Sequence, residues 1–515
     1  MRDVSTQLLV GGRIYAPDAS AMAVTDGVVV WIGQDSVGRA LHPDAEVIEL
    51  NGAFVAPAFV DAHVHATSAG LLLTGVDLTR TPSLEALLQQ VREADGPLVW
   101  GHGWDETRWP ENRPPTRAEI DEAAQGKRVY LSRIDVHSAL VSSNLVTDET
   151  RAADGYSSEG PLARAAHHHV RRIARDAITP DQRRAAQLAF LRYAASKGIA
   201  SVHECAGPDI SGEDDLRELL ALGEGPQVVA YWGDHSLPGV SVQGLAGDHF
   251  VDGAIGSRTA ALVEPYADAD TSGALYLSGP QIADHLVKCT SLGLQAGFHV
   301  IGDAGMAAVI EGFTIAEKTL GTPVLASARH RLEHVEMVSA EQAQQLAGWG
   351  VIASVQPLFD AEWGGPAGMY VQRLGAERGV GLNPFSRLAA AGVVLAFGSD
   401  TPVTAIDPWA AVRAAVHHQT EGFGVSPRAA FTAHTRGGWR AAGVDDGVTG
   451  TLQPGAPATY AVWETGDLVV AGSDARVQRW STDPRSGVPG LPDLTGPAPV
   501  CVRTVLNGRT IYERK

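Results

Sequence analysis

The sequence predicts an α/β fold: a parallel (β/α)8 barrel of the TIM type, carrying a small composite β-sandwich built from the two ends of the chain. Three observations predict it. Strand-like apolar runs alternate with helical stretches between about residues 57 and 443, the pattern of βαβ units in a parallel sheet. Four of those runs end in histidine or aspartate, and a parallel barrel keeps its chemistry at the carboxyl ends of its strands. Short strands with hairpin signals occupy both termini, and neither set can bury its faces alone.

Residues 1–56 read as short strands: Leu8-Leu9-Val10 before Gly11-Gly12, Arg13-Ile14-Tyr15, and Val28-Val29-Val30-Trp31-Ile32 after an Asp26-Gly27 turn. The barrel, residues 57–443, starts beyond Ala56-Pro57. Its first strand is followed by residues 71–177, longer than one βα unit needs and holding Trp104, Trp109, Pro110, Pro114 and Pro115. This segment is expected to be an insertion roofing part of the active face. Helices are expected over residues 182–196 and 342–349. Residues 444–515 return to strands at Tyr460-Ala461-Val462-Trp463 and in a hairpin turning at Asn507-Gly508. The Pro- and Gly-rich stretch 482–499 is expected to be an irregular surface excursion.

The run Phe59-Val60-Asp61-Ala62-His63-Val64-His65 carries the sharpest signal. Residues two apart on a strand face the same way, so His63 and His65 aim two imidazoles at one point, as metal ligands do. A lone His-x-His is weak. Three more apolar runs strengthen it, ending at His299, at His334 and at Asp400. The competing reading of any single one is a hydrogen-bonded core residue. Four strand ends with the same ligand chemistry favour the metal.

The chain resembles the amidohydrolase superfamily, and within it amidohydrolase family 3 (YtcJ-like), nearly end to end. The resemblance is carried by residues 59–65, by Gly101-His102-Gly103-Trp104-Asp105-Glu106, by Arg133-Ile134-Asp135-Val136-His137 and by residues 252–262 (Asp252-Gly253-Ala254 through Ala261-Leu262). It continues through His299-Val300-Ile301-Gly302-Asp303, Arg329-His330-Arg331-Leu332-Glu333-His334, Ala353-Ser354-Val355-Gln356-Pro357 and Phe397-Gly398-Ser399-Asp400-Thr401-Pro402-Val403. The family builds its satellite sandwich from both chain ends, and many members place a carboxylated lysine that bridges two metals just before the Asp-Gly segment. Here Asp248 stands at that position. None of the five lysines (Lys127, Lys197, Lys288, Lys318, Lys515) falls at the end of a predicted barrel strand, so no lysine carbamate is expected. Asp248 bridges two metals with a shorter arm, or the site holds one metal and Asp248 is a loop carboxylate.

The resemblance implies hydrolysis of an amide or related C–N bond, which needs a strong nucleophile at neutral pH and a sink for developing negative charge. A divalent cation supplies both, bringing the pKa of water to about 7. Imidazoles and carboxylates suit zinc best, with manganese, iron or cobalt as substitutes. The expected ligands are His63, His65, His299, His334, Asp400 and, less firmly grounded, Asp248. Asp400 also serves as general base; its competing role is a helix N-cap. His137 beside Asp135, Arg258 and Trp104 are the substrate-binding candidates, against loop-tying or core-packing roles. His203 and Glu204 are candidates for orienting a ligand imidazole. The triple His167-His168-His169 reads as a solvated helix stretch.

Composition agrees with an enzyme of small molecules. At 515 residues with 44% hydrophobic content the chain can bury a large core, and its formal charge of −19 argues against nucleic acid. No apolar run reaches membrane-spanning length. The N-terminus lacks the plan of a signal peptide, and Cys205, Cys289 and Cys501 are scattered and odd in number, which suggests free thiols in the cytoplasm. A homodimer is compatible with all of this. The expected activity is a metal-dependent amidohydrolase acting on a small amide or formamide-like C–N bond. The alternatives are a deaminase of a ring amidine and a non-catalytic relative that has lost the metal.

Overall fold

In a computed structural model describing residues 6–470 and 489–515, eight strands form the barrel. They are β1 (Phe59–Val64), β2 (Ile199–Ala206), β3 (Gln227–Trp232), β4 (Gly244–Leu245), β5 (Gln295–Val300), β6 (Arg331–His334), β7 (Ile352–Val355) and β8 (Val394–Phe397). Each pairs in parallel with its sequence neighbour. The ring closes just beyond β8, where Val64 bridges Thr401. There the His65 N–H donates to the Thr401 carbonyl at 2.9 Å, and the Asp400 N–H donates to the His63 carbonyl at 2.8 Å. Gly398 permits the close approach: a Cβ there would lie 2.6 Å from the His63 nitrogen.

Helices follow the local signals. The one expected at residues 182–196 is Pro180–Ser196, opened by a Thr179–Gln182 capping box with proline in its first turn. The one expected at 342–349 is Ala340–Gly348, capped by Ser339. The insertion starts a little later than residue 71, because the helix after β1 runs over Ala66–Thr74 and packs on Pro180–Ser196. Between those helices a five-stranded sheet is laid down, Val76–Asp77, Leu98–Trp104, Arg128–Arg133, Ser138–Val141 and Leu162–Ala163. Leu87, Val99, Trp104, Ile120 and Leu131 fill its own small core.

The two chain ends meet in two sheets. One is four-stranded and uses only the N-terminal segment (Thr6–Val10, Ala21–Thr25, Val28–Gly33, Glu46–Glu49). The other mixes Arg13–Ile14 and Phe54–Pro57 with Tyr460–Glu464, Val500–Leu506 and Arg509–Glu513. Leu9, Met22, Val29, Val55, Tyr460 and Val505 pack in one apolar cluster spanning them. Of the stretch expected as an excursion, residues 482–488 lie outside the described residues; Leu491–Pro492 pairs antiparallel with Leu468–Val469.

Phe59, fully buried, joins barrel to sandwich. Its ring meets Trp409 at 5.1 Å, Phe431 at 5.4 Å and Trp463 at 5.8 Å, all edge to face. Removing that ring leaves a cavity among three large aromatic neighbours. Phe59→Ala is expected to cost roughly 3–5 kcal/mol, read as a lowered urea midpoint; a shift worth under about 1 kcal/mol would show that the junction collapses around the gap.

Candidate metal centre

The alternation of β1 places His63 and His65 on the same side of the strand, both buried. Asp400 arrives from beyond β8 at the closure seam, Asp248 from beyond β4, His299 from β5 and His334 from the end of β6. His63 Nε2 lies 3.3 Å from Asp400 Oδ1 and 3.5 Å from Asp248 Oδ1. His65 Nε2 lies 3.1 Å from Asp400 Oδ1 and 3.2 Å from Asp248 Oδ2. The rings of His299 and His334 are 4.4 Å apart, and those of His63 and His334 are 5.1 Å apart. Among the described residues three donor sets share His63: His63, His65 and Asp400; His63, Asp248 and His334; and His63, Cys205 and Glu333.

These donors fit a divalent cation. Bonds of about 2.0–2.1 Å to one tetrahedral ion hold donors about 3.3 Å apart, close to the spacings found. Buried polar atoms are normally satisfied, yet His63 Nε2, Asp248 Oδ1 and Asp400 Oδ1 have no hydrogen-bond partner. Burial disfavours charge throughout the cluster. Even so, His63 and His65 hold the Asp400 carboxyl below the usual range and that of Asp248 well below it, while Asp248 and Asp400 push His65 up to about 9. Two buried carboxylates call for positive charge between them, and a cation held by neutral imidazoles supplies it. His334 (φ 72°) and Asp400 (φ 55°) sit in the left-handed region, a backbone strain of about 1–3 kcal/mol each that clusters at functional sites.

Outer partners set the rings of His63 and His334. His63 Nδ1 donates to Glu333 Oε2 at 2.9 Å, leaving Nε2 for the centre. Glu333 is gripped in turn by Arg331, with Nε at 2.6 Å and Nη2 at 3.0 Å; despite burial, Arg331 and His63 keep its carboxyl far below the usual range. His334 Nδ1 donates to the Gln356 side-chain oxygen at 2.8 Å. Asp252 stands 3.8 Å from His299 Nδ1 while accepting the N–H groups of Ile301, Gly302 and Ala261. Such partners fix ring orientation and basicity. Of the two orienting candidates, His203 contacts Arg331 Nη1 at 3.1 Å rather than a ligand, and Glu204 accepts the Ala66 N–H at 2.7 Å.

The substrate candidates divide. His137 lines the pocket above the centre with Phe250, its ring 5.1 Å from that of His299. Burial and the neighbouring His299 hold its pKa well below the usual value, so the ring is neutral. Arg258 is a correction: it binds both oxygens of Asp268, at 2.9 and 2.7 Å, and ties down its loop. Trp104 is another, because its indole N–H donates to the Leu131 carbonyl at 2.8 Å inside the insertion core, away from the pocket. Asp105 beside it pairs with Arg133 at 3.2 Å. The histidine triple is not a solvated stretch: His167 is fully buried on the Tyr130 hydroxyl at 3.0 Å, and His168 faces the pocket. Asp400 caps no helix either, since the next one, Pro408–Val416, is capped by Asp407. Glu333, Gln356 and Asp252 had no assigned role in the sequence reading, although Glu333 shares with Arg331 the two-residue spacing that exposed His63 and His65.

A (β/α)8 barrel with imidazoles and carboxylates converging at its C-terminal face is the architecture of a metal-dependent hydrolase. Residues 46–512 match the family described as the amidohydrolase family, and the chain belongs to it. The putative amidohydrolase YtcJ of Bacillus subtilis (strain 168) is 26% identical over 79% of this chain and 82% of its own length. An N-substituted formamide deformylase of Arthrobacter pascens is 25% identical over 84% of this chain and 87% of its own. Among solved structures, an uncharacterized metal-dependent hydrolase from Pyrococcus horikoshii OT3 superposes with a TM-score of 0.71 at 26% identity, covering 90% of this chain and 99% of the other.

The orienting bond to His334 generates a test. Gln356→Ala is expected to weaken metal binding by about 10–100-fold, and His63→Ala by at least as much, both measured by competition with a chelator. Parental affinity in His63→Ala would remove that residue from the ligand set.

Proposed function

We propose that this chain hydrolyses a C–N bond other than a peptide bond in a small N-substituted amide or formamide, using one or two divalent ions, zinc by preference. The observation that carries the reading is that His63, His65, His334, Asp248 and Asp400 bring buried donor atoms together at the barrel mouth, with the His299 ring 4.4 Å from that of His334. The similarity to an N-substituted formamide deformylase supports the bond type. When bound, the cation makes water acidic enough to attack at neutral pH and polarises the carbonyl oxygen.

The chain's own groups do the rest. Asp400 Oδ1 accepts the proton of the attacking water and returns it to the leaving nitrogen, general base first and general acid second. The neutral His137 ring, beside His299, offers an N–H to the substrate oxygen as negative charge builds there. Phe250, Phe359 and Val403 keep bulk water from the bond. The deaminase alternative asks for a free carboxylate next to the attacked carbon: Glu333 is engaged by Arg331 and His63, which leaves Glu336 of the same pocket as the group that reading would need.

Purified protein is expected to carry one to two equivalents of a transition metal by plasma mass spectrometry and to release amine from members of a panel of amides, formamides and lactams. Prolonged chelation is expected to abolish that release; a metal content under about a tenth of an equivalent, unresponsive to added zinc, would overturn the proposal. Asp400→Asn keeps side-chain volume but cannot accept a proton. It is expected to retain most of the metal while losing roughly 10²–10⁴ in kcat, and turnover within a few fold of the parent would exclude the base role.

A further inference from the structure

The pocket lined by His299, His334 and Asp400 contains a buried carboxylate that the proposed reaction does not use. Glu336 is 2% exposed, its Oε2 has no hydrogen-bond partner, and among the described residues it forms no ion pair. It lines the same pocket as His299, His334 and Asp400, and no lysine or arginine lines that pocket. Around it stand three aromatic rings. Phe359 stacks on His334 at 5.8 Å and 8°, Trp363 lies 4.9 Å from Phe359, and Tyr370 lies 6.4 Å from Trp363 at 71°. The Trp363 indole N–H is likewise without an aligned partner, and the Tyr370 hydroxyl faces the Glu336 carboxyl.

An unpaired buried carboxyl either keeps its proton or takes a counter-charge, and the faces of phenyl, phenol and indole rings attract organic cations. A phosphate or carboxylate substituent would meet Glu336 and Asp400 with like charge. We propose that Glu336 with Phe359, Trp363 and Tyr370 forms an ammonium subsite, which takes a protonated amino group carried on the substrate a short distance from the scissile bond. The subsite deepens the proposed C–N hydrolysis, resting on it for what the amino group is attached to. Ammonium recognition itself is independent of the bond broken.

The test is calorimetric titration of the metal-loaded protein with benzylammonium and, separately, with benzyl alcohol, its neutral counterpart. Benzylammonium is expected to bind about 10–100-fold tighter, the worth of one charge-assisted hydrogen bond out of water. In Glu336→Gln that preference is expected to fall below about two-fold while metal content and Tm stay at the parental values. Tyr370→Phe, which removes one hydroxyl and keeps the ring, is expected to retain most of it. Equal binding of the two probes by the parent would overturn the subsite, and so would a preference untouched by Glu336→Gln, which would assign the amine to the metal instead. Amide turnover without any charge preference would sink the subsite and leave the C–N reading standing. A Glu336-dependent preference with no amide turned over would support the subsite and sink only the C–N reading.

Discussion

The structure hangs on the seam where the barrel closes. Here two backbone hydrogen bonds, from Asp400 to the His63 carbonyl and from His65 to the Thr401 carbonyl, join the first strand to the residues beyond the last. The Asp61 carboxylate reinforces them by accepting the Ser399 N–H at 2.8 Å. Three of the six candidate ligands therefore sit within one residue of a ladder rung, although more than 300 residues of chain separate them (His65 to Asp400, 400 − 65 = 335). Rung geometry leaves little freedom, so the relative placement of His63, His65 and Asp400 is set by main chain rather than by side-chain rotamers. Anything that widens the barrel at this point separates the ligands before it unfolds the protein.

A second constraint lies beneath the seam. Arg331, fully buried, reaches Glu333, the Ala62 carbonyl and the face of Tyr231 at 4.2 Å, and Glu333 passes the interaction to His63. A buried pair of this kind seldom adds net stability over an apolar substitute. Its gain is orientation: the negative end is fixed against His63 Nδ1, which selects the tautomer with Nε2 free. Gln356 does the same for His334 without a charge. The core beneath the candidate centre is thus polar by design of the site, and apolar packing is carried by the residues between strand and helix layers.

What was legible in the sequence followed from periodicity. The strand alternation that pairs His63 with His65 needs only local geometry, and the strand-end positions of His299, His334 and Asp400 follow once the parallel barrel is accepted. The helices expected at 182–196 and 342–349 begin two residues earlier, at Pro180 and Ala340. Asp248 was visible only through resemblance, because it stands beyond a two-residue strand that no pattern reveals. Arg258 and Trp104 were misjudged for a common reason: their directions depend on partners, Asp268 and the Leu131 carbonyl, that tertiary packing alone brings near. The histidine triple was misread because its helix is covered on one side by the insertion sheet and on another by the pocket. Glu336 is beyond sequence reasoning of this kind, since its isolation from any cation is a property of the assembled pocket.

The mixed sheet of the sandwich has a consequence for how the chain reaches its fold. Phe54–Pro57 pairs on one edge with Arg13–Ile14 and on the other with Tyr460–Glu464. The second partner emerges about 400 residues after the strand itself, counting from Pro57 to Tyr460 (460 − 57 = 403). At about 5–20 residues per second, synthesis leaves that buried, wholly apolar edge without its neighbour for some 20–80 s. An unpaired strand edge of this composition invites pairing with another chain. The satellite is therefore the last part of the molecule able to complete itself, and the nascent protein spends most of its synthesis with this strand edge unpaired.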